Sequence, residues 1–142
     1  MAGEGKAVPV VDSEFREEDG RFSPDGRWLT FASNENGRME LYAISYPSRE
    51  EKRQLTSVGV NRYFWRRDGR EILFMTPERT MNSIAVNGDS FDAARLLFKS
   101  SIPMIAGDAS RDGTRIVVAV GQVRETVPIT LVTNWQSGLQ RE

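Results

Sequence analysis

The sequence of 142 residues contains neither cysteine nor histidine. Without cysteine the chain has no disulfide bond and no thiolate ligand for a metal ion. Without histidine it cannot contain a serine–histidine–aspartate or cysteine–histidine nucleophile system. We therefore predict no catalytic residue of this kind, and composition alone leaves the question of enzymatic activity open.

A strong net charge and long apolar runs are also missing. The formal net charge is −1, whereas a nucleic-acid-binding domain usually presents a basic surface. No apolar run approaches the roughly 18 residues of a membrane span, and residues 1–6 lack the apolar core of a secretion signal. We therefore expect a soluble protein that starts in the cytoplasm, with neither nucleic acid nor a membrane as a partner.

One turn motif, built around an Asp-Gly pair, occurs three times. The copies are residues 23–26, 66–69 and 110–113, and their Asp-Gly pairs lie 43 and 44 residues apart. A period of this length is typical of proteins built from one repeated supersecondary unit. Aspartate in such a turn accepts hydrogen bonds from nearby backbone amides. We therefore interpret Asp25, Asp68 and Asp112 as structural residues.

Each turn is followed by a short run of apolar residues, which predicts a strand. The turn then joins two antiparallel strands, and the inner strand of each pair ends at Phe22, Trp65 or Ala109. Second strands are predicted at 28–32, 72–75 and 116–120, third strands at 40–44, 83–86 and 129–133, and fourth strands at 52–56 and 95–99.

These strands divide the chain into three repeats and a separate N-terminal strand. Residues 7–11 are apolar and align only with a fourth strand, so we interpret them as a strand that closes the third repeat. The predicted divisions are a flexible lead-in at 1–6, the closing strand at 7–11, blade one at 12–57, blade two at 58–101, blade three without its fourth strand at 102–135, and a tail at 136–142.

The order of these motifs resembles the repeats of TolB-like β-propellers. The resemblance rests on Ser-Pro-Asp-Gly at 23–26, Ser-Asn-Glu-Asn-Gly at 33–37, Glu-Leu-Tyr at 40–42 and Gln-Leu-Thr at 54–56. It covers nearly all of residues 7–135 and is strongest in the first repeat. It implies an all-β fold, a fragment of three four-stranded antiparallel blades. Because members of the family usually have six or more blades, the chain resembles the C-terminal portion of a larger propeller protein.

Three blades in an open arc leave two apolar outer faces in water, because neither has a neighbouring blade. We therefore expect two chains to close a six-bladed ring by homodimerisation. The closing strand at 7–11 could complete its own chain's third blade or the partner's, and the ring favours the partner's. The expected function is a self-assembling structural or protein-interaction scaffold, with another copy or another protein as its partner.

The alternative function is a metal-assisted hydrolase or small-ligand binder whose site forms in the central channel on assembly. Its cofactor would be a hard divalent cation such as calcium, which prefers oxygen ligands; otherwise no cofactor is expected. The candidate ligands, on or near inner strands, are Glu17, Glu18, Asp19 and Asn61. The simpler interpretation of the acidic residues is a solvated loop balanced by Arg16 and Arg21.

A second group of candidates mixes basic and aromatic residues. Arg62, Trp65 and Arg66 lie in one short stretch, and such a combination can stack on planar groups or bind an anion. Alternation along a strand, however, turns part of this stretch into the core between blades. Aromatic core with solvated arginines is the simpler interpretation of these residues.

Overall fold

The computed structural model describes residues 5–121 and 129–133. Within these ranges the chain forms twelve strands and no helix. The strands make three antiparallel sheets of four, five and three strands. The part of the chain described thus has no helix long and apolar enough to cross a membrane.

The first sheet is a four-stranded meander in the order β1-β2-β3-β4. Its strands are β1 (Glu17–Phe22), β2 (Trp28–Ser33), β3 (Glu40–Ser45) and β4 (Lys52–Gln54). The register shifts between Glu18 and Arg21, where Asp19 has a positive φ of 60°. This β-bulge increases the local twist of the inner strand.

The second sheet has five strands, one more than predicted. They are β5 (Arg62–Trp65), β6 (Glu71–Met75), β7 (Thr80–Asn87), β8 (Ser90–Phe91) and β9 (Arg95–Lys99). The additional strand, β8, forms because β7 is long enough to pair with two strands along the same side. Thr80 to Ser83 pair with β9, whereas Val86 and Asn87 pair with β8.

The third sheet has three strands, in the order β10-β11-β12. They are β10 (Met104–Ala109), β11 (Arg115–Val120) and β12 (Ile129–Thr133). The predicted ends of the inner strands are confirmed, since β1, β5 and β10 end at Phe22, Trp65 and Ala109.

Residues 7–11, predicted as the closing strand, form no strand in the single chain. Pro9 lacks the amide proton that a ladder position requires, and Val8 is 62% exposed. Closure of the third sheet by its own N-terminus is therefore not observed, and pairing with another copy stays a prediction. Three parts of the predicted divisions lie outside the described residues: residues 1–4 of the lead-in, residues 122–128 and 134–135 of the third blade, and the whole tail at 136–142.

The three Asp-Gly turns have the hydrogen bonds that the motif predicts. The carboxylates of Asp25, Asp68 and Asp112 each accept a hydrogen bond from the backbone amide two residues later, at 3.0–3.1 Å. In the first turn, the hydrogen bond from Ser23 and the neighbouring Arg27 lower the pKa of Asp25 to about 2. The three carboxylates therefore hold the turns together, as predicted.

Two hydrophobic cores lie between successive sheets. The first contains Ala32 and Leu41 from the first sheet with Ile72 and Phe74 from the second. The second joins residues of the second sheet to the third sheet, and its members include Phe64, Leu73, Met75, Met81, Ile116 and Val118. The middle sheet therefore buries both faces, whereas each end sheet has one face without a neighbouring sheet.

Candidate interaction surface

The face of the third sheet that points away from the second sheet is apolar and open. Because side chains alternate along a strand, Ile116 and Val118 enter the core while Val117 and its partner Leu131 lie on the opposite face. Leu131 is 58% exposed and Ile129, on the same face, is 75% exposed. We call this surface, formed by Val117, Ala119, Ile129 and Leu131, the open face.

The same positions are buried in the other two sheets. Ile129 pairs with Ala119 in the third sheet, as Met81 pairs with Met75 in the second and Leu41 with Ala32 in the first. Met81 and Leu41 are both fully buried against the next sheet. The open face is therefore the surface on which a further blade would pack.

Charged groups border the open face near its Asp-Gly turn. A depression of about 250 Å³ there is lined by Val117 and Leu131 together with Arg67, Arg111 and Arg115. Arg67 lies 3.8 Å from Asp108 in an exposed ion pair. An apolar centre with a polar rim is the usual organisation of a protein–protein interface.

The outer face of the first sheet is more covered than expected. Phe31 and Tyr42 stack there with ring centroids 5.9 Å apart, and they are only 3% and 2% exposed. The Lys52 ammonium lies 5.0 Å from the Tyr42 ring centroid, and cations are attracted to the face of an aromatic ring. The prediction of an apolar face in water therefore holds for the third sheet. In the first sheet, the rings of Phe31 and Tyr42 are covered.

The acidic candidates for a metal site have protein partners close by. Arg16 pairs with Glu18 at 2.8 Å, Arg21 pairs with Asp19 at 3.0 Å, and the Ser13 hydroxyl donates to Glu17 at 2.7 Å. In residues 5–121 and 129–133 no group of three or more acidic side chains is placed to hold a metal ion. The ion pairs with Arg16 and Arg21 are those of the simpler interpretation, but Glu17, Glu18 and Asp19 are half-buried on β1 rather than in a loop. Metal binding by these residues with Asn61 stays a prediction.

The bulge at Asp19 has a structural role that the sequence did not reveal. The hydroxyl oxygen of Tyr63, in the second sheet, lies 2.5 Å from the Asp19 carbonyl oxygen and 2.8 Å from the Thr30 carbonyl oxygen. Burial raises the pKa of Tyr63, so this hydroxyl keeps its proton. The bulge therefore connects the first sheet to the second.

Arg66, a predicted ligand residue, is engaged by carboxylates of its own sheet. It forms ion pairs with Asp68 and with Glu71, the latter at 3.2 Å. Burial raises the pKa of Glu71, and its hydrogen bond with Ser83 and the charge of Arg66 act against that change. A Cβ atom added to Gly113 would lie 2.7 Å from the Arg66 guanidinium. Arg66 therefore packs between the second and third sheets, which gives no support to a ligand-binding role.

The other two ligand candidates differ in exposure. The Trp65 indole nitrogen donates to the Thr30 hydroxyl at 2.9 Å, across the first two sheets. Arg62 is exposed, and its guanidinium donates to the carbonyl of its neighbour Asn61 at 3.2 Å. The three candidates thus have different surroundings in the structure. Anion binding by Arg62 stays a prediction.

A buried carboxylate that the sequence analysis did not single out joins the first repeat to the second. Glu40 is 2% exposed. It accepts hydrogen bonds from the Thr56 hydroxyl at 2.5 Å and from the Gly59 amide at 3.0 Å, and it pairs with Arg38 at 2.6 Å. Because Thr56 and Gly59 lie on the connection between the two sheets, Glu40 fixes the path of that connection.

Among sequence comparisons, no family model matches the chain. A peptidase of Bacillus subtilis, named YuxL and described as uncharacterized, is 42% identical over 72 residues. The match covers 49% of this chain and 11% of the relative. The matched stretch of this chain thus spans about a tenth of the length of that relative.

Solved structures with a similar fold include TolB and other β-propeller structures. A TolB structure from Agrobacterium tumefaciens matches 80% of this chain and 44% of its own, with a TM-score of 0.63 and 18% identity. The propeller domain of Cps50 from Myceliophteria thermophila matches 85% of this chain and 38% of its own, with a TM-score of 0.61 and 15% identity. Oligogalacturonate lyase from Vibrio parahaemolyticus matches 70% of this chain and 27% of its own, with a TM-score of 0.56 and 18% identity.

The three stacked antiparallel sheets, the two cores between them and these structural similarities lead to the same conclusion about the fold. In each comparison the chain corresponds to less than half of the solved structure. The chain has the fold of a β-propeller fragment with three blades, similar to part of the TolB structure.

Proposed function

We propose that this chain is a self-assembling propeller module that functions as an interaction scaffold. The observation that carries the proposal is the open face of the third blade. Its exposed residues Ile129 and Leu131 occupy positions that are buried by a following blade in the first and second blades.

The occupant that fits the open face best is the first blade of a second copy. Leu29 and its partner Ile44 lie on the outer face of that blade, as Ile72 and its partner Ile84 do on the face of the second blade that packs against the first. In two copies related by a two-fold axis, the third blade of each copy would pack against the first blade of the other. The result would be a ring of six blades.

The N-terminal segment would have a role in the same contact. In a ring, residues 7–11 of one copy lie beside the third blade of the other, whose outer strand β12 has no strand partner on its far side among the described residues. Addition of a strand there would remove an edge that otherwise invites uncontrolled pairing. The scaffold would thus be completed by exchange of strands between copies.

Substitution of Leu131 by glutamate tests the proposed contact. We expect Leu131→Glu to stay folded, because its side chain is exposed in the single chain, and to lose self-association, because a charge would be buried without a partner at the interface. Sedimentation velocity of wild type and variant at matched concentrations measures the change.

Leu96→Glu is the matched control. Leu96 is also a strand leucine, 54% exposed, but it lies on β9 of the second blade rather than on the open face. We expect this variant to associate as wild type does. An association that survives Leu131→Glu, or that is lost equally in both variants, would contradict the proposed contact.

A further inference from the structure

The last residue of each inner strand faces the preceding blade, and these residues differ between the three blades. They are Phe22, Trp65 and Ala109. Trp65 packs against the core between the first two blades, and Ala109 belongs to the core between the second and third. Phe22 lies on the outer face of the first blade and is 52% exposed. It is the one member of this set that has no blade to pack against in the single chain.

The junction between the first two blades shows what such a residue packs on. The Trp65 indole nitrogen donates to the Thr30 hydroxyl at 2.9 Å. Val117 occupies the position of Thr30 on the third blade, since Thr30 pairs with Ala43 in the first sheet as Val117 pairs with Leu131 in the third. The equivalent place on the open face is therefore apolar and offers no side-chain acceptor.

This place on the open face is a depression in which a ring could lie. Val117 and Leu131 are part of its lining, with Arg111 and Arg115 beside them. Its volume of about 250 Å³ exceeds the roughly 150 Å³ of a protein cavity that holds benzene. Because Leu131 is 58% exposed, an aromatic ring can reach the floor, and arginine side chains pack favourably on aromatic faces.

Phe22 has the chemistry that this depression requires. Its ring makes an edge contact with Tyr46, with centroids 4.9 Å apart, which holds it on the outer face of the first blade. A phenyl ring has no polar atom, so it can be buried on Val117 at no cost in hydrogen bonds. An indole in the same place would lose a hydrogen bond to water and find no acceptor on the side chain of Val117.

The charges around the two surfaces are also complementary. At the junction between the first two blades, Asp89 in the loop after the third strand of the second blade pairs with Arg27 at 2.8 Å. The corresponding loop of the first blade carries the exposed Glu50, and the depression on the third blade carries Arg111 and Arg115. Opposite charges would therefore meet when a first blade packs on the open face.

We propose that Phe22 of a second copy inserts into this depression on the open face. The contact rests on the two-chain ring proposed above. Val117 makes the junction between copies specific for a phenyl ring, as Thr30 makes the junction within the chain suited to an indole.

Phe22→Ala tests the insertion. We expect this variant to stay folded, because the ring is exposed in the single chain. Loss of a buried aromatic anchor weakens association about tenfold, and a ring with two such contacts should dissociate about a hundredfold more readily. Sedimentation velocity over a concentration series measures this change. Leu96→Ala, on the second blade, is the control, and we expect it to associate as wild type does.

An exchange of the two residues tests the specificity. Phe22→Trp should weaken association about tenfold, because its indole N–H is buried without an acceptor. Adding Val117→Thr to Phe22→Trp should restore association, because it recreates the pair that Trp65 makes with Thr30. A side chain that merely covers apolar surface would show no such rescue.

The outcomes separate this contact from the ring itself. A wild-type chain that does not associate overturns both. Association that is lost in Leu131→Glu but unchanged in Phe22→Ala overturns the insertion of Phe22 and leaves the ring. The insertion is also overturned if Leu96→Ala weakens association as much as Phe22→Ala does, or if Val117→Thr fails to restore association to Phe22→Trp.

Discussion

Ile116→Asp is expected to prevent folding. Ile116 is 0% exposed and belongs to the core between the second and third blades. A carboxylate at this position would lie among apolar side chains away from water. Arg66, which packs between the same two sheets, is already paired with Asp68 and Glu71. The expected loss is roughly 4–5 kcal/mol, a large part of the roughly 5–15 kcal/mol by which a domain is stable. Loss of the wild-type far-ultraviolet circular dichroism spectrum and of the cooperative urea transition would show it.

Leu96→Asp is the control for this substitution. It places the same charge on a strand, at an exposed position outside the core and the open face. We expect it to keep the wild-type circular dichroism spectrum, at a cost of about 1 kcal/mol. If Ile116→Asp folded normally, the assignment of Ile116 to the face between blades would be wrong.

Glu40→Ala is expected to destabilise the chain by about 3 kcal/mol, although it removes a charged residue. The substitution leaves the Gly59 amide and the Thr56 hydroxyl without their acceptor, and it empties a buried site. Because Thr56 also accepts from the Leu41 amide at 2.9 Å, the third strand of the first blade loses support as well. Chemical denaturation of purified wild type and variant would give the difference.

The control for Glu40→Ala is Glu35→Ala, which removes a nearby glutamate from the first blade. Glu35 pairs with Lys52 at the surface, and such pairs contribute at most about 1 kcal/mol. Equal losses in the two variants would mean that the buried hydrogen bonds of Glu40 add nothing to stability.

Local chemistry explains why the strand positions could be predicted from the sequence. The end of each inner strand follows from an Asp-Gly turn, whose hydrogen bonds join residues at most five positions apart. The strand β8 was missed because its two residues have no pattern of their own and depend on the length of β7.

The roles of Glu40 and Arg66 could not be predicted because they depend on distant partners. A glutamate beside an apolar strand residue is typical of a surface position, and only the return of the chain at Thr56 and Gly59 buries it. Arg66 had one usable signal, since it occupies the turn position where the other repeats have Ser23 and Ser110. Its contact with Gly113 requires the third blade to be in place.

The burial of side chains on the outer faces of the first and third blades also could not be predicted from the sequence. The number of blades predicted two open end faces, but it does not show which aromatic rings on them are buried. Phe31 and Tyr42 are covered while Leu131 is exposed. The asymmetry gives the third blade, rather than the first, the surface that most requires a partner.

The most direct test of the proposed assembly is the absolute mass of the chain in solution. Light scattering on a sizing column, over a range of loading concentrations, gives this mass without assumptions about shape. The account predicts a species of twice the 16.0 kDa chain mass, reduced to a single chain by Leu131→Glu. A wild-type chain that stays at 16.0 kDa at every concentration would contradict the two-chain ring.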